Sequence, residues 1–283
     1  MDRAELASLP ADHPGAGDEA YRRRRAVIAA TLSGHERGDE IPLVEYTQEE
    51  DAVWATVSAE LAAKHARLAC RAYLDAAARL ELSATRVPQL REVDARLRRA
   101  SGFGLRPVAG LVPTRQFYAA LAERTFLSTQ YIRHHSTPYY TPEPDIVHEI
   151  IGHARALAGR PFAELYEAAG RASLRATTPE AADLFSRVFW FTLEFGVVRE
   201  DGELKAYGAG LLSSFGEIEA FRDADIRPFD LVAMGTQPYD ITRYQEVLFA
   251  ADSVAEMSAQ LLAFFSSFDV RQASVLLAQP QSA

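Results

Sequence analysis

Residues 144–153 read PDIVHEIIGH, and the spacing of the two histidines in it governs how the rest of the chain is read. Pro144 and Asp145 are helix-opening residues, so His148 and His153 are expected on one helix running to about Gly159. The zinc-hydrolase pattern H-E-x-x-H places two histidines four apart. Here they are five apart, with Gly152 inserted before the second. At about 100° per residue, a separation of four leaves side chains about 40° apart, whereas five leaves about 140°. A straight α-helix therefore does not aim both imidazoles at one ion. A local irregularity would, and Gly152 is the residue that permits one most cheaply.

Forty-one residues beyond His153 lies Glu194, within FWFTLEFGVV (189–198). A carboxylate among Phe189, Trp190, Phe191, Leu193 and Phe195 is costly to bury unless it is paired, protonated or bound to a metal. Two histidines and one carboxylate with open positions form the facial triad of non-haem Fe(II) oxygenases, and zinc hydrolases use the same ligand types. Ligand identity leaves both chemistries open. In the hydrolase, Glu149 would be the general base. A third cluster, STQYIRHHSTPYYTPEPD (128–145), leads into the histidine helix. In it Arg133 offers a planar, permanently charged fork suited to a carboxylate.

The bulk numbers narrow the field. A net charge of −9 argues against sequence-independent nucleic-acid binding. No apolar run approaches the about 18–20 residues of a membrane span, and MDRAELASLPADHPG lacks the features of a signal peptide. Cys70 is the only cysteine, which excludes an internal disulfide, fits a reducing cytoplasm and reads as a small buried hydrophobe.

Helical patterning dominates the remainder. Residues 1–18 are expected to be a loose leader and 21–32 a helix with its arginines on a solvated face. A long amphipathic helix is predicted through Trp54, Val57, Leu61 and Leu68 to about Leu82, another over 87–102, and an extended or loop stretch over 102–112. A capping box from Thr177 to Glu180 opens the helix that carries Glu194. YGAGLLSSFGE (207–217) reads as turn-forming, and a last helix runs from Asp252–Ser253 to about Phe265. No internal repeat and no βαβ alternation is evident. The fold class is mostly α, with minor short strands, in one domain.

Taken in order, RPVAGLV, TQYIRH, YTPEPDIVHEIIGH, FTLEFG and YGAGLLSSFGE resemble the catalytic domain of the pterin-dependent aromatic amino acid hydroxylases. The similarity extends upstream through ADHPGAGDEAYRRRR and IPLVEYTQEED and covers roughly residues 10–270. It implies a helical basket around a non-haem iron, a catalytic domain over 19–270 and a short tail over 271–283. His148, His153 and Glu194 would hold Fe(II). Arg133 would bind the substrate carboxylate, with Thr141, Gly210 and Ser213 helping to hold the amino-acid backbone. Trp190, Phe195 and Pro144 would form the slot for the aromatic ring. A tetrahydropterin such as tetrahydrobiopterin would stack on Phe117 and meet Gly110, Val112 and Thr114, with Glu149 and Glu217 near pterin and iron. Tyr46 would belong to a lid loop.

The resemblance also implies the reaction, in which O2 and the reduced pterin hydroxylate a free aromatic amino acid. This sequence departs from the family pattern at Phe189 beside the iron, where many relatives carry tyrosine. It departs again at Leu127, a polar position in animal members, and at Pro113–Thr114, in place of a Ser–Ser pair. Trp190 favours phenylalanine or tyrosine over tryptophan, and Ala250, where tyrosine hydroxylases carry an aspartate, tilts towards phenylalanine. Attack at C4, giving tyrosine, is the default, and C3, giving meta-tyrosine, the alternative. With 18 residues after Phe265, no tetramerisation helix is expected, nor an N-terminal regulatory domain, and the expected state is a monomer or weak dimer.

Overall fold

Thr47 opens the longest helix, Gln48–Leu68, through a reciprocal capping box in which its side chain accepts from the Glu50 N–H and Glu50 accepts from the Thr47 N–H. Glu49, Glu50 and Asp51 in the first turn complement the helix dipole. Trp54, Val57 and Leu61 point from it into the core, fully buried. These assignments come from a computed structural model that describes residues 9–32, 35–36 and 38–278.

The expected continuation to Leu82 is broken. At Ala69–Cys70 the backbone turns extended, Ala69 bridges to Ala206, and the Cys70 N–H donates to the Ala206 carbonyl at 2.9 Å. The helix restarts as Arg71–Ala78. A tertiary hydrogen bond has overridden the helical propensity of an Ala-rich run. Cys70 itself is fully buried, with its thiol pushed up to about 12 by burial, which agrees with its reading as a small hydrophobe.

Helices dominate, as expected, but two small sheets contain parallel pairs. β1 (Gly104–Pro107) and β2 (Thr125–Ser128) pair in parallel, Gly104 opposite Thr125, with helix Thr114–Ala122 as the crossover. β3 (Val197–Glu200) and β4 (Glu203–Ala206) form a hairpin whose turn places Asp201 and Gly202 at φ +53° and +79°. β6 (Val247–Ala251) lies parallel to β3 and to β5 (Asp225–Pro228), giving the order β4-β3-β6-β5. Strands of four or five residues carry too little alternation for a period-two pattern to show.

Other boundaries shift for identifiable reasons. Helix Leu90–Ser101 begins two residues after Pro88 and stops at Gly102, which is left-handed at φ +78°. The helix leading to Glu194 is capped by Thr178, not Thr177: its side chain accepts from Ala181, and Pro179 takes the first position. The expected turns in 207–217 are helical over Ala209–Ser213, and a further short helix spans Glu217–Ala220. Ser253 caps Val254–Ser267.

Both expected ends are corrected where they are described. Asp269 caps another helix, Val270–Leu277, inside the expected tail. At the other end, residues 9–18 are packed rather than loose. His13 is buried, accepts the Gly15 N–H and lies 3.4 Å from Glu143. In helix Glu19–Ala30 the Tyr21 hydroxyl donates to the Ile132 carbonyl, and Arg25 is buried, paired with Glu143 and 3.7 Å above the Tyr131 ring. One of the four arginines is therefore an anchor against the 128–145 segment. Residues 1–8 and 279–283, expected as parts of the loose leader and the short tail, lie outside the described residues.

Candidate metal centre and active site

The two histidines are brought together by a change of helix type. His148–Ala154 is π-helical, with the Arg155 N–H bonded to the Ile150 carbonyl five residues back. A wider turn returns residues five apart to one face, as an α-helix does for residues four apart. His148 Nε2 and His153 Nε2 consequently lie 2.9 Å apart, with their rings 82° to one another. Trp190–Glu194 is a second π-helical turn, closed by the Phe195 N–H on the Trp190 carbonyl at 2.8 Å. It delivers Glu194, whose carboxylate oxygens stand 3.4 Å from His153 Nε2 and 4.0 Å from His148 Nε2.

Donors at about 2.1 Å from an octahedral ion, at right angles, are about 3 Å apart. The three side chains fit a metal that keeps its remaining positions open. Glu149 is the other carboxylate near the histidines. Its Oε1 is already engaged by the N–H and hydroxyl of Thr129, at 3.3 and 3.2 Å. Glu194 receives no such donor among the described residues, so its oxygens are the freer of the two carboxylates to meet an ion beside the histidines.

The outer imidazole nitrogens are oriented by hydroxyls. Ser213 Oγ donates to the Ala209 carbonyl at 2.8 Å, leaving a lone pair for His148 Nδ1–H at 2.8 Å. Tyr166 Oη repeats the device, donating to the Leu193 carbonyl at 3.4 Å and facing His153 Nδ1 at 2.8 Å. A proton on Nδ1 of each ring, donated to these hydroxyls, leaves both Nε2 lone pairs facing the ion position.

Gly152 serves this arrangement by close approach rather than by a left-handed backbone. A Cβ there would sit 2.7 Å from the Ala209 carbonyl, so glycine lets the helix bearing Ser213 dock on the π-helix. Burial pushes His148 down to about 4 and His153 well below its ordinary value, and pushes Glu194 and Glu149 up to about 8. Without a cation the site thus favours neutral groups, and a cation at the ligand atoms reverses that preference for Glu194.

A cavity of about 180 Å³ opens beside these groups. It is lined by Gly110, Val112, Thr114, Phe117, Leu127, Pro144, His148, Glu149, His153 and Glu194, together with Val108, Leu111, Phe126 and Thr129. Phe117, half-buried, meets Phe126 and Phe189 edge-to-face. Phe189, without a hydroxyl, also packs edge-on against Tyr166.

Other sequence-predicted residues lie outside this lining. Arg133 is buried and forked onto Asp145, with Nε and Nη2 donating at 2.9 and 2.8 Å. Its Nη1 has only a long contact, 3.4 Å, to the Pro138 carbonyl. Burial alone would raise Asp145, but Arg133 and the backbone N–H groups of Arg133 and His148 hold it below the usual carboxylate range. Sequence reasoning missed Asp145. The available signal was Arg133 itself, since a guanidinium enclosed in a binding site needs a counter-charge within the chain. Thr141 donates to the Glu143 carbonyl, and Trp190 lies between Phe195 and Tyr239.

Four further residues have other partners in this structure. Gly210 makes room for the Phe195 ring, 2.6 Å from where its Cβ would be, and Ser213 holds His148 rather than facing the cavity as a backbone contact. Glu217 sits under Gln245, accepting its N–H at 2.7 Å, and is pushed up to about 7 by burial. Tyr46, expected on a lid loop, is anchored here away from the cavity lining: its hydroxyl donates to the Gln130 carbonyl at 2.8 Å, and its ring packs on Ile28, Val44 and Tyr131.

Residues 4–277 match the family described as biopterin-dependent aromatic amino acid hydroxylase. The chain belongs to that family. Among similar hydroxylases, the phenylalanine 3-hydroxylase of Streptomyces coeruleorubidus is 45% identical over 265 residues, covering 94% of this chain and 95% of the relative. Human tyrosine 3-monooxygenase is 46% identical over 264 residues, 91% of this chain but 50% of the relative's length. The phenylalanine hydroxylase of Chromobacterium violaceum, in a structure with bound oxidised Fe(III), superimposes with a TM-score of 0.78 at 28% identity, covering 91% of this hydroxylase and 94% of that chain. The mostly helical fold and the non-haem iron and biopterin chemistry agree with the sequence reading. No helix among the described residues of this hydroxylase is long and apolar enough to cross a membrane.

Proposed function

We propose that this hydroxylase converts free L-phenylalanine to meta-tyrosine, by attack at C3, using O2 and a tetrahydropterin at Fe(II) held by His148, His153 and Glu194. The observation that carries the reaction class is the set of three ligand atoms brought together by two π-helical turns and left open towards one cavity. The default of C4 gives way to C3 because the Streptomyces relative, matched along nearly its whole length, is a phenylalanine 3-hydroxylase.

Iron, when bound, supplies the site at which dioxygen is activated with two electrons from the reduced pterin. The chain's own groups position and exclude. Phe117 offers a ring face to the pterin, and Gly110, Val112 and Thr114 line its side of the cavity. Arg133, braced by Asp145, presents Nη1 to the substrate carboxylate. Pro144, Trp190 and Phe195 hold the ring. Glu149 faces the pterin side through water. Buried apolar walls at Phe126 and Leu127 exclude water from the inner side of the cavity, so catalysis is mainly proximity and desolvation. We place the enzyme in the cytoplasm, where the buried thiol of Cys70 stays reduced.

Anaerobic reconstitution with Fe(II), followed by phenylalanine, tetrahydropterin and oxygen, with chromatographic separation of the tyrosine isomers, tests this. Meta-tyrosine is expected as the main product. Predominant para-tyrosine would restore the C4 reading, and no ring hydroxylation of any aromatic amino acid would sink the assignment.

A further inference from the structure

Trp190 is fixed on three sides. Phe195 covers one side at 4.5 Å between centroids, Tyr239 stacks at 4.3 Å and 15°, and the indole Nε1–H donates to Gln245 Oε1 at 2.9 Å. Gln245 is buried, and each of its other donors is used. Nε2 donates to the carbonyls of Asp240 and Arg243 at 3.0 and 3.1 Å, and the backbone N–H donates to Glu217 at 2.7 Å. With both amide hydrogens facing carbonyls, only Oε1 is left for the indole. A flipped amide would set oxygen against two carbonyls and nitrogen against the indole N–H. One side chain thereby ties the largely exposed loop 237–244 to the indole.

We propose that Gln245 is a positioning residue that determines which carbon of the substrate ring is hydroxylated, by fixing the angle of the Trp190 indole. This rests on Trp190 forming a wall of the substrate slot, as read under Proposed function. Stacked aromatic rings slide at little cost, and the directional constraint comes from the hydrogen bond. Because C3 and C4 are neighbours in one ring, a small tilt of the wall redistributes attack between them.

The test compares wild type with Gln245→Leu, which removes every side-chain hydrogen bond, and Gln245→Glu, which keeps an acceptor for the indole but loses donors to the loop. A several-fold change in the meta:para ratio is expected for Gln245→Leu and a smaller one for Gln245→Glu. The KM for phenylalanine should rise while that for the pterin stays unchanged. In a Trp190→Phe background, Gln245→Leu should leave the ratio where Trp190→Phe put it. Reduced turnover at an unchanged ratio, or an equal change in that background, overturns the proposal. Should Gln245→Leu not fold, an unaltered ratio in Gln245→Glu does the same.

If wild type makes only para-tyrosine, the ring-position reading fails, while a ratio altered by the Gln245 variants still supports this one. Fluorescence needs no turnover, because Trp190 and Trp54 are the only tryptophans and Trp54 is bonded separately to the Ser83 carbonyl. Altered Trp190 emission in the variants supports the proposal, and spectra identical to wild type overturn it.

Discussion

Two clusters of ionisable side chains draw on the stretch 133–153, one of them together with Glu194, and they are built on opposite plans. Asp145 receives the Arg133 fork, the Arg133 N–H and the His148 N–H, so its charge is fully answered from within the chain. His153 is buried almost as deeply, and His148 and Glu194 are half-buried, yet the inward-facing atoms of the three answer only one another. Burial shifts the second cluster towards neutrality, whereas Arg133 keeps Asp145 ionised despite its burial. A completed cluster holds structure, and an incomplete one awaits a ligand. The outer faces of the incomplete cluster are satisfied by Ser213 and Tyr166, so its openness points in one direction only.

Breaking the completed cluster should have the largest effect on folding. Asp145→Asn leaves a buried guanidinium without its counter-charge and should cost about 3–5 kcal/mol of stability by denaturant titration. Its phenylalanine KM should rise, because Arg133 loses its brace. Retained stability would mean that Arg133 finds another partner or water. Removing an outer support from the open cluster should act on metal rather than on fold. Ser213→Ala should weaken Fe(II) binding by about 10–100-fold, measured by competition with a chelator. An unchanged affinity would refute the tautomer argument for His148.

Gly152→Ala sharpens the comparison more gently. Its Cβ would meet the Ala209 carbonyl at 2.7 Å, so about 1–3 kcal/mol of stability should be lost as Ser213 is displaced from His148. Equal loss of stability with no loss of iron affinity would separate packing from metal binding. The smallest effect is on pH dependence. In the metal-free protein, Glu194 and Glu149 at about 8 bind protons that the unfolded chain has released. Stability from them is complete below about 4.5 and is lost as pH rises towards 8. His148 at about 4 acts oppositely, adding stability between about 4 and 6.5. The metal-free protein should therefore lose stability from about pH 6.5 to 8, and loading the site should make that decline shallower. A rise over the same window would contradict the carboxylate shifts.

Much of the open cluster was legible because it is written locally. The His148–His153 spacing demanded an irregular helix, and a carboxylate among aromatics at Glu194 demanded a partner. The π-helical turn at Trp190–Glu194 was not legible, since α and π segments share the same apolar pattern. Nor were the partners that orient the ligands. Ser213 reaches His148 across 65 residues and Asp145 reaches Arg133 across 12, through packing that no local pattern encodes. The break at Cys70 was hidden for the same reason, because its cause is a hydrogen bond to Ala206.

The central claim is that Glu194, and not the adjacent Glu149, completes the iron site. Iron content and turnover after anaerobic Fe(II) reconstitution of Glu194→Ala and Glu149→Ala decide it. The account predicts that Glu194→Ala loses both iron and hydroxylation, while Glu149→Ala still binds about one iron per chain. Full iron loading in Glu194→Ala, with loss in Glu149→Ala, would contradict it.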